Sequence, residues 1–327
     1  MTEQLKLKLN DSKATRWGAL VIVAFTMMAA YYVNDVVAPL KTMLETDLAW
    51  SSTDFGFFTG GYSFLNVFFL MLIWGGLILD RFGIRFTGKL ATILMVGGTA
   101  LEYYAMTGLA GADATLFGIN EIFGYKTGVF VAFAGYSIFG VGAEVAGITV
   151  SKIIAKWFKG KELATAMGVQ VALARIGSQA GYAVAIPLAR AFGISTPVLL
   201  GLVLLLGGMI AFFVFAVMDK KLDKQMEAAA IAAGTEDEEE KFSFKDVKNI
   251  LVNPGFWLIA LLCVLFYSCV FPFQKFASEL MIIKYGINEN VAGTFAGLPA
   301  LGALILTPVF GGFIDKRGKS ASIMLLG

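Results

Sequence analysis

The sequence predicts an all-α polytopic membrane protein, and three observations carry that prediction. The chain is too apolar for a soluble domain: 57% of its 327 residues are hydrophobic and 15% charged, where soluble domains run at roughly half and a quarter. Its mean hydropathy is +0.75. The apolar residues fall in runs of about 20, the length that crosses a bilayer as a helix. Finally, a short charged, Gly-bearing signature occurs twice. Its first copy is Gly76-Leu77-Ile78-Leu79-Asp80-Arg81-Phe82-Gly83-Ile84-Arg85, and its second is Gly311-Gly312-Phe313-Ile314-Asp315-Lys316-Arg317-Gly318-Lys319. Each copy follows a long apolar run. A charged turn used once per half of a molecule marks the internal repeat of secondary transporters, whose substrate site lies between the repeats.

Eight runs are long enough to span, at roughly 17–40, 54–79, 86–106, 127–151, 163–189, 196–218, 256–279 and 291–314, and residues 320–327 resemble the start of a ninth. The first run is long and has no small-residue cleavage site behind it, so it reads as a retained helix. The expected organisation is an N-terminal six-helix half over residues 1–218, a cytoplasmic linker over 219–255, and the start of an incomplete C-terminal half over 256–327. The linker assignment rests on the acidic run Glu236–Glu240 and the Ala-rich Ala228–Ala233, which read as a flexible connection. The segment 107–125 is longer than a tight turn and fits a small cap.

Composition also excludes functions. Histidine is absent, so no His proton relay exists. Cys263 and Cys269 share one apolar run but point to different faces of a helix, which excludes a mutual disulfide or a metal site between them. A net charge of +2 gives no case for nucleic acid. The 29 Phe suit lipid-facing surface, and the 37 Gly suit close helix contact in a bilayer. No cofactor, metal or catalytic residue is expected, and moving a solute needs no covalent chemistry, so no enzyme activity is expected either.

Lys and Arg predict the orientation. Twenty lie in the tail, around the two signatures, near Lys152–Lys161 and in 220–248. Five (Lys41, Lys126, Arg190, Lys275 and Lys284) lie on the other side. The positive-inside rule then puts the N-terminus and both signatures in the cytoplasm.

An ionisable side chain at mid-membrane costs about 2.5–3.5 kcal/mol or more on an insertion scale, so each needs a partner or a wet cavity. Glu144 and Arg175 stand out. Tyr136, Gly140, Glu144 and Gly147 share one helical face; Val171, Arg175, Ser178 and Tyr182 share another. Arg175 lies about 18 Å along its span, near the midplane. One reading is that the two charges pair and pin their helices together. The other is that they are the poles of a zwitterion site. Arg then offers a planar fork to a carboxylate and Glu an acceptor to an ammonium group, and substrate displaces their mutual pair. Asn66 and Tyr62 share a face of the second span and are candidate cavity residues, as are Tyr267 and Gln274 from the seventh. Asn34 and Asp35 sit near the outer end of the first span, where Asp35 reads as interfacial. Glu102, beside Tyr103 and Tyr104, reads as an interfacial charge in an aromatic belt, with proton coupling as the functional alternative. Pro272 and Pro308 are expected to kink their helices.

The paired signature, Gly-x-x-x-Asp-Arg/Lys-x-Gly, resembles the repeated loop motif of the major facilitator superfamily. That resemblance implies two six-helix halves, here truncated after about eight helices, and makes Asp80, Arg81, Arg85, Asp315 and Lys316 gating residues rather than substrate ligands. A narrower likeness rests on Phe139-Gly140-Val141-Gly142-Ala143-Glu144, Lys156-Trp157-Phe158-Lys159-Gly160-Lys161-Glu162-Leu163, Gln170, Ala174-Arg175-Ile176-Gly177-Ser178, Cys269-Val270-Phe271-Pro272-Phe273 and Pro308-Val309-Phe310-Gly311. These are similar to the major facilitator superfamily domain-containing protein 1 family, whose animal members are lysosomal dipeptide uniporters. The resemblance implies that Glu144 and Arg175 engage the two ends of a dipeptide, whose charges sit about 7 Å apart.

The resulting expectation is a transporter of small peptides, dipeptides first, working by alternating access and by uniport, with Arg175, Glu144, Asn66, Tyr62, Tyr136, Tyr182 and Tyr267 at the substrate. Its partners are a small zwitterion and the lipid bilayer, with any accessory membrane subunit left undefined. The tail has no acidic dileucine signal, so a bacterial cytoplasmic membrane is the expected address and a lysosomal membrane the alternative. The rivals are a proton-coupled organic anion or sugar-acid carrier and a non-transporting membrane sensor or scaffold.

Overall fold

The computed structural model describes residues 8–111, 114–233, 249 and 251–306. Asp315, Lys316, Pro308 and the acidic run 236–240 lie outside the described residues. Helix α1, Lys13–Val36, starts where the Ser12 hydroxyl accepts from the Thr15 amide, a standard way to satisfy an orphan donor at a helix start. Pro39 lies in a 3-10 turn, Ala38–Leu40, that leads into the short α2, Lys41–Asp47. Helix α3, Ser52–Phe68, opens with a reciprocal cap between Ser51 and Asp54. The chain then bends by 58° at Phe69–Leu70 and enters α4, Met71–Thr107. Leu70 takes φ 51°, and Phe68 and Phe69 project outward, where an apolar surface suits lipid.

The first signature sits inside α4. Gly83 has φ 74° and ψ 173°, so the helix breaks there and resumes at Ile84. An L side chain rarely adopts that φ, which gives the glycine of the signature its physical reason. The segment after α4 holds a two-residue hairpin, β1 Glu121–Ile122 against β2 Tyr125–Lys126, within the loop expected to carry a small cap. Four long helices follow: α5 Thr127–Trp157, α6 Leu163–Phe192, α7 Thr196–Ala233 and α8 Pro254–Tyr285. Helix α9, Glu289–Ala296, extends a helical path that reaches Leu306.

Among the described residues five helices are long and apolar enough to cross a membrane, or six with the bent α3–α4 pair. Of the eight expected runs, five fall on the straight helices, the last of them described only as far as Leu306; the second, 54–79, was expected as one span and is instead bent at Phe69–Leu70, the third lies on α4, and the fifth lies on α6, which is not among the five. Helix α6 spans 30 residues, but Gln170, Arg175, Gln179 and Arg190 dilute its apolar character. Helix α7 continues through 219–233, so the polar stretch that follows the sixth run starts as helix.

Helix α5 is central, packed on α3 and α4, while α1 packs on α6 and α7. At Gly140 an added Cβ would meet the Tyr62 carbonyl oxygen at 2.4 Å, so only glycine lets α5 and α3 approach this closely. Tyr136, Phe139, Phe58, Trp157 and Phe212 fill the interior. From Pro254 to Phe273, α8 is mostly exposed and apolar; it meets the first six helices from Gln274 onward, where Ala277 and Ser278 are buried.

Candidate functional site

A cavity of about 570 Å³ opens between α1, α3, α5 and α8. Met27, Ala30, Tyr31 and Asn34 come from α1; Thr59, Gly60, Tyr62 and Ser63 from α3; Tyr136, Ala143, Glu144 and Gly147 from α5; Phe271, Pro272, Lys275 and Phe276 from α8. Its size suits a small molecule, and its wall is apolar with a few polar groups, the usual character of a ligand site.

Glu144 supplies the negative pole. Tyr62 Oη donates to its Oε1 at 2.8 Å, a bond made possible by the glycine contact one turn away. The Tyr62 and Tyr136 rings lie 5.6 Å apart between centroids. Tyr136 Oη donates to the Asn34 carbonyl at 2.8 Å and accepts from Lys275 Nζ at 3.2 Å. Lys275 Nζ also donates to the Asn34 carbonyl at 2.6 Å and lies 3.6 Å from Asp35 Oδ1. An anion and a cation therefore face one cavity, each held by one of two neighbouring tyrosines.

The sequence-derived residues divide. Tyr62, Tyr136 and Glu144 line the cavity; Arg175, Asn66, Tyr182 and Tyr267 are absent from its wall. Arg175 does not pair with Glu144: its guanidinium stacks 5.8 Å from the Tyr31 ring centroid, and no ion pair to it occurs among the described residues. Helical depth placed Arg175 near the midplane, but its face turns towards α1. Asn66 turns back on its own helix, donating to the Tyr62 carbonyl at 3.0 Å. Tyr182 is buried and donates to the Gln274 carbonyl at 3.2 Å, joining α6 to α8. Tyr267 is 48% exposed and stacks on Phe271.

Three residues read as peripheral are interior. Asp35, read as interfacial, is 9% exposed and near Lys275, which was counted among the outer charges. Glu102, read as belonging to an aromatic belt, is fully buried where α4 meets Gly135 of α5, and neither carboxylate oxygen has a partner among the described residues. Each lies close to the end of its apolar run, which is the only signal the sequence offered.

Among the described residues the first signature makes its contacts with α5 and α7. Lys152 Nζ donates to Asp80 Oδ1 at 3.0 Å. Arg85 reaches Asp223 at 2.5 Å and Asp219 at 3.5 Å on α7. Lys156 bonds both aspartates and Trp157 donates its indole N–H to Asp219 at 3.0 Å. Arg81 packs over Phe82 at 5.5 Å.

The Major Facilitator Superfamily profile matches residues 20–327. The lysosomal dipeptide transporter MFSD1 of Homo sapiens is 27% identical over 321 residues, covering 94% of this chain and 63% of the relative. The Pongo abelii protein of that name is 27% identical over 315 residues, covering 92% and 61%. The chain thus spans about three fifths of the length of these curated relatives. Among solved structures, that of a D-xylose-proton symporter superposes with a TM-score of 0.58 at 16% identity, covering 92% of this chain and 69% of that one; the likeness is one of fold.

Proposed function

The chain belongs to the major facilitator superfamily, and on that premise we propose that it is the substrate-binding part of a dipeptide transporter. The observation that carries the reading is the cavity, with Glu144 presented by Tyr62 at one side and a cationic side chain at the other. A zwitterion of dipeptide length fits two such poles better than a sugar or a lone anion does. The similarity to proteins named lysosomal dipeptide transporter supports the same substrate class. Transport proceeds by rocking of an N-terminal half against a C-terminal half that starts near 256, joined by a linker that begins beyond the end of α7. The N-terminus and the signatures face the cytoplasm by the positive-inside rule.

The test is uptake of dialanine into liposomes by the full-length protein, alongside Glu144→Gln and Arg175→Ala. Uptake abolished by Glu144→Gln, with free alanine competing poorly, supports the reading. Uptake untouched by Glu144→Gln overturns it.

One observation favours a proton-coupled variant over uniport. Glu102 is wholly buried with both oxygens unpartnered among the described residues, and an unpaired buried carboxylate is a functional candidate inside a membrane. Accumulation driven by a pH gradient and lost in Glu102→Gln would establish coupling; equal uptake with and without the gradient would establish uniport.

A further inference from the structure

Arg175 stands over Tyr31 and Lys41 over Phe276, both wall residues, but among the described residues only Lys275 is a cation of the wall itself. We propose that Lys275 holds the substrate's carboxylate, with Asp35 as the counter-ion it gives up when the site fills. The inference rests on the dipeptide reading above and names the group that binds one end of the substrate.

An ammonium group has three donors. Two are well used, on the Asn34 carbonyl at 2.6 Å and on Tyr136 Oη at 3.2 Å. Both acceptors are neutral. The approach to Asp35 Oδ1 is 3.6 Å, far longer than the about 2.7–2.9 Å of a charge-assisted bond. Asp35 Oδ1 meanwhile accepts from the Asn34 side-chain amide at 2.9 Å. The positive charge is therefore near an anion without a short bond to it, on a side chain that lines the cavity. A carboxylate arriving from the cavity can make the short bond that Asp35 does not.

Position supports the same assignment. Lys275 bonds Tyr136 and Glu144 bonds Tyr62, and those two rings are 5.6 Å apart. The two charged ends of an extended dipeptide are about 7 Å apart. The Phe271, Pro272 and Phe276 surfaces beside Lys275 leave apolar room for a side chain. Lys275 also lies on α8, after the connection, while Glu144 lies on α5, before it. A substrate bound to both would bridge the two halves, which couples occupancy to their relative motion. Arg175, stacked on Tyr31, instead supports the α1 wall from behind.

The test compares L-alanyl-L-alanine with its C-terminal amide, which keeps the ammonium group and loses the anion. Full-length protein in liposomes is assayed as wild type, Lys275→Arg and the charge-balanced Asp35→Asn/Lys275→Met. The double variant removes both charges together, and its melting temperature in detergent confirms folding. The wild type should prefer the acid over the amide in KM by about tenfold, the worth of one charge-assisted contact. Lys275→Arg should keep a preference, and the double variant should lose it while still transporting the amide. A double variant that keeps the wild-type preference overturns the inference, as does loss of the preference in Arg175→Ala alone. A folded double variant that loses both substrates equally also overturns it, because Lys275 is then a strut. A wild type that takes up neither compound removes the dipeptide reading itself and this inference with it.

Discussion

The two ends of the bundle use charge differently. At the end that gathers residues 8–16, 80–89, 152–162 and 219–225, every ion pair among the described residues joins the first seven helices or the turns beside them. Asp219 is fully buried beneath Lys156, Arg85 and the Trp157 indole, Asp80 meets Lys152, and Arg16 meets Glu162. At the far end the pairs cross from those helices to α8 and α9. Lys41 Nζ, 3% exposed, donates to Glu279 at 2.5 Å as well as to Glu45 and Ser52. Arg190 bonds Glu289 and Asn290 across the same divide. One set staples a single body together, and the other holds two bodies to each other. Motion between halves would leave the first set intact and break the second.

Removing Asp219 probes the staple and should give the largest effect. Asp219→Ala leaves the buried Trp157 indole N–H unpaired and Arg85 and Lys156 with Asp223 alone, and a buried donor left unsatisfied costs about 1–3 kcal/mol. Its melting temperature in detergent should fall sharply. A distance between spin labels at Thr46 and Tyr285, both exposed at the far end, should stay unchanged in the protein that folds. Lys41→Met probes the latch and should do the reverse. With Cys263 and Cys269, both free and exposed, replaced by Ser, the same label pair should shift towards longer distances. A roughly tenfold change in the ratio of two states corresponds to about 1.4 kcal/mol. If Asp219→Ala moves the labels and Lys41→Met does not, the division between the two ends is wrong.

Between the ends lies the cavity, where Tyr62→Phe is the milder perturbation. It removes one hydrogen bond to Glu144 without changing shape, so about 1 kcal/mol, or roughly a fivefold rise in KM for dialanine, is expected. Uptake kinetics at fixed membrane voltage would measure it. An unchanged KM would mean that Glu144 is oriented by the helix alone.

What the sequence revealed follows from what periodicity encodes. Helix positions, the charged turn at Gly83 and the shared face of Tyr136 and Glu144 are local properties, and each appears in the structure. Glu144 stood out because it interrupts an apolar run near its middle. Lys275 and Asp35 did not stand out, because each lies near the end of its run, where a charge usually reaches water. Their approach depends on α8 packing against α1, a contact between residues 241 apart in sequence for Lys275 and Asn34. Glu102 was hidden by its neighbours: Tyr104 is 45% exposed, but two positions along a helix turn the side chain about 200°, which carries Glu102 onto α5. The azimuth of Arg175, which turns it towards Tyr31 of α1, was not readable from its position along the helix. The membership of Asp219 in a buried cluster was masked by the polar stretch that begins with it.

The smallest effect belongs to the first end's exposed margin. Glu162, just before α6, accepts from Arg16 Nη2 at 3.0 Å and from the Trp17 indole at 3.2 Å, with Lys13 nearby. The Arg16 bond, then the Trp17 bond, hold its carboxyl below the ordinary value of 4.5. A depressed carboxylate stabilises the folded state above its unfolded value, and that contribution fades as pH falls through the lower folded value. Glu162→Gln should therefore lower the melting temperature slightly at pH 7, and the difference from wild type should shrink as pH falls below the ordinary carboxylate value and vanish below the depressed folded one. Salt should shrink the pH 7 difference, because an exposed pair is screened. Since the contact joins α1 to the start of α6 within one body, the Thr46–Tyr285 distance should not respond; a response would show that this margin, and not only the latch at Lys41, senses the position of α8.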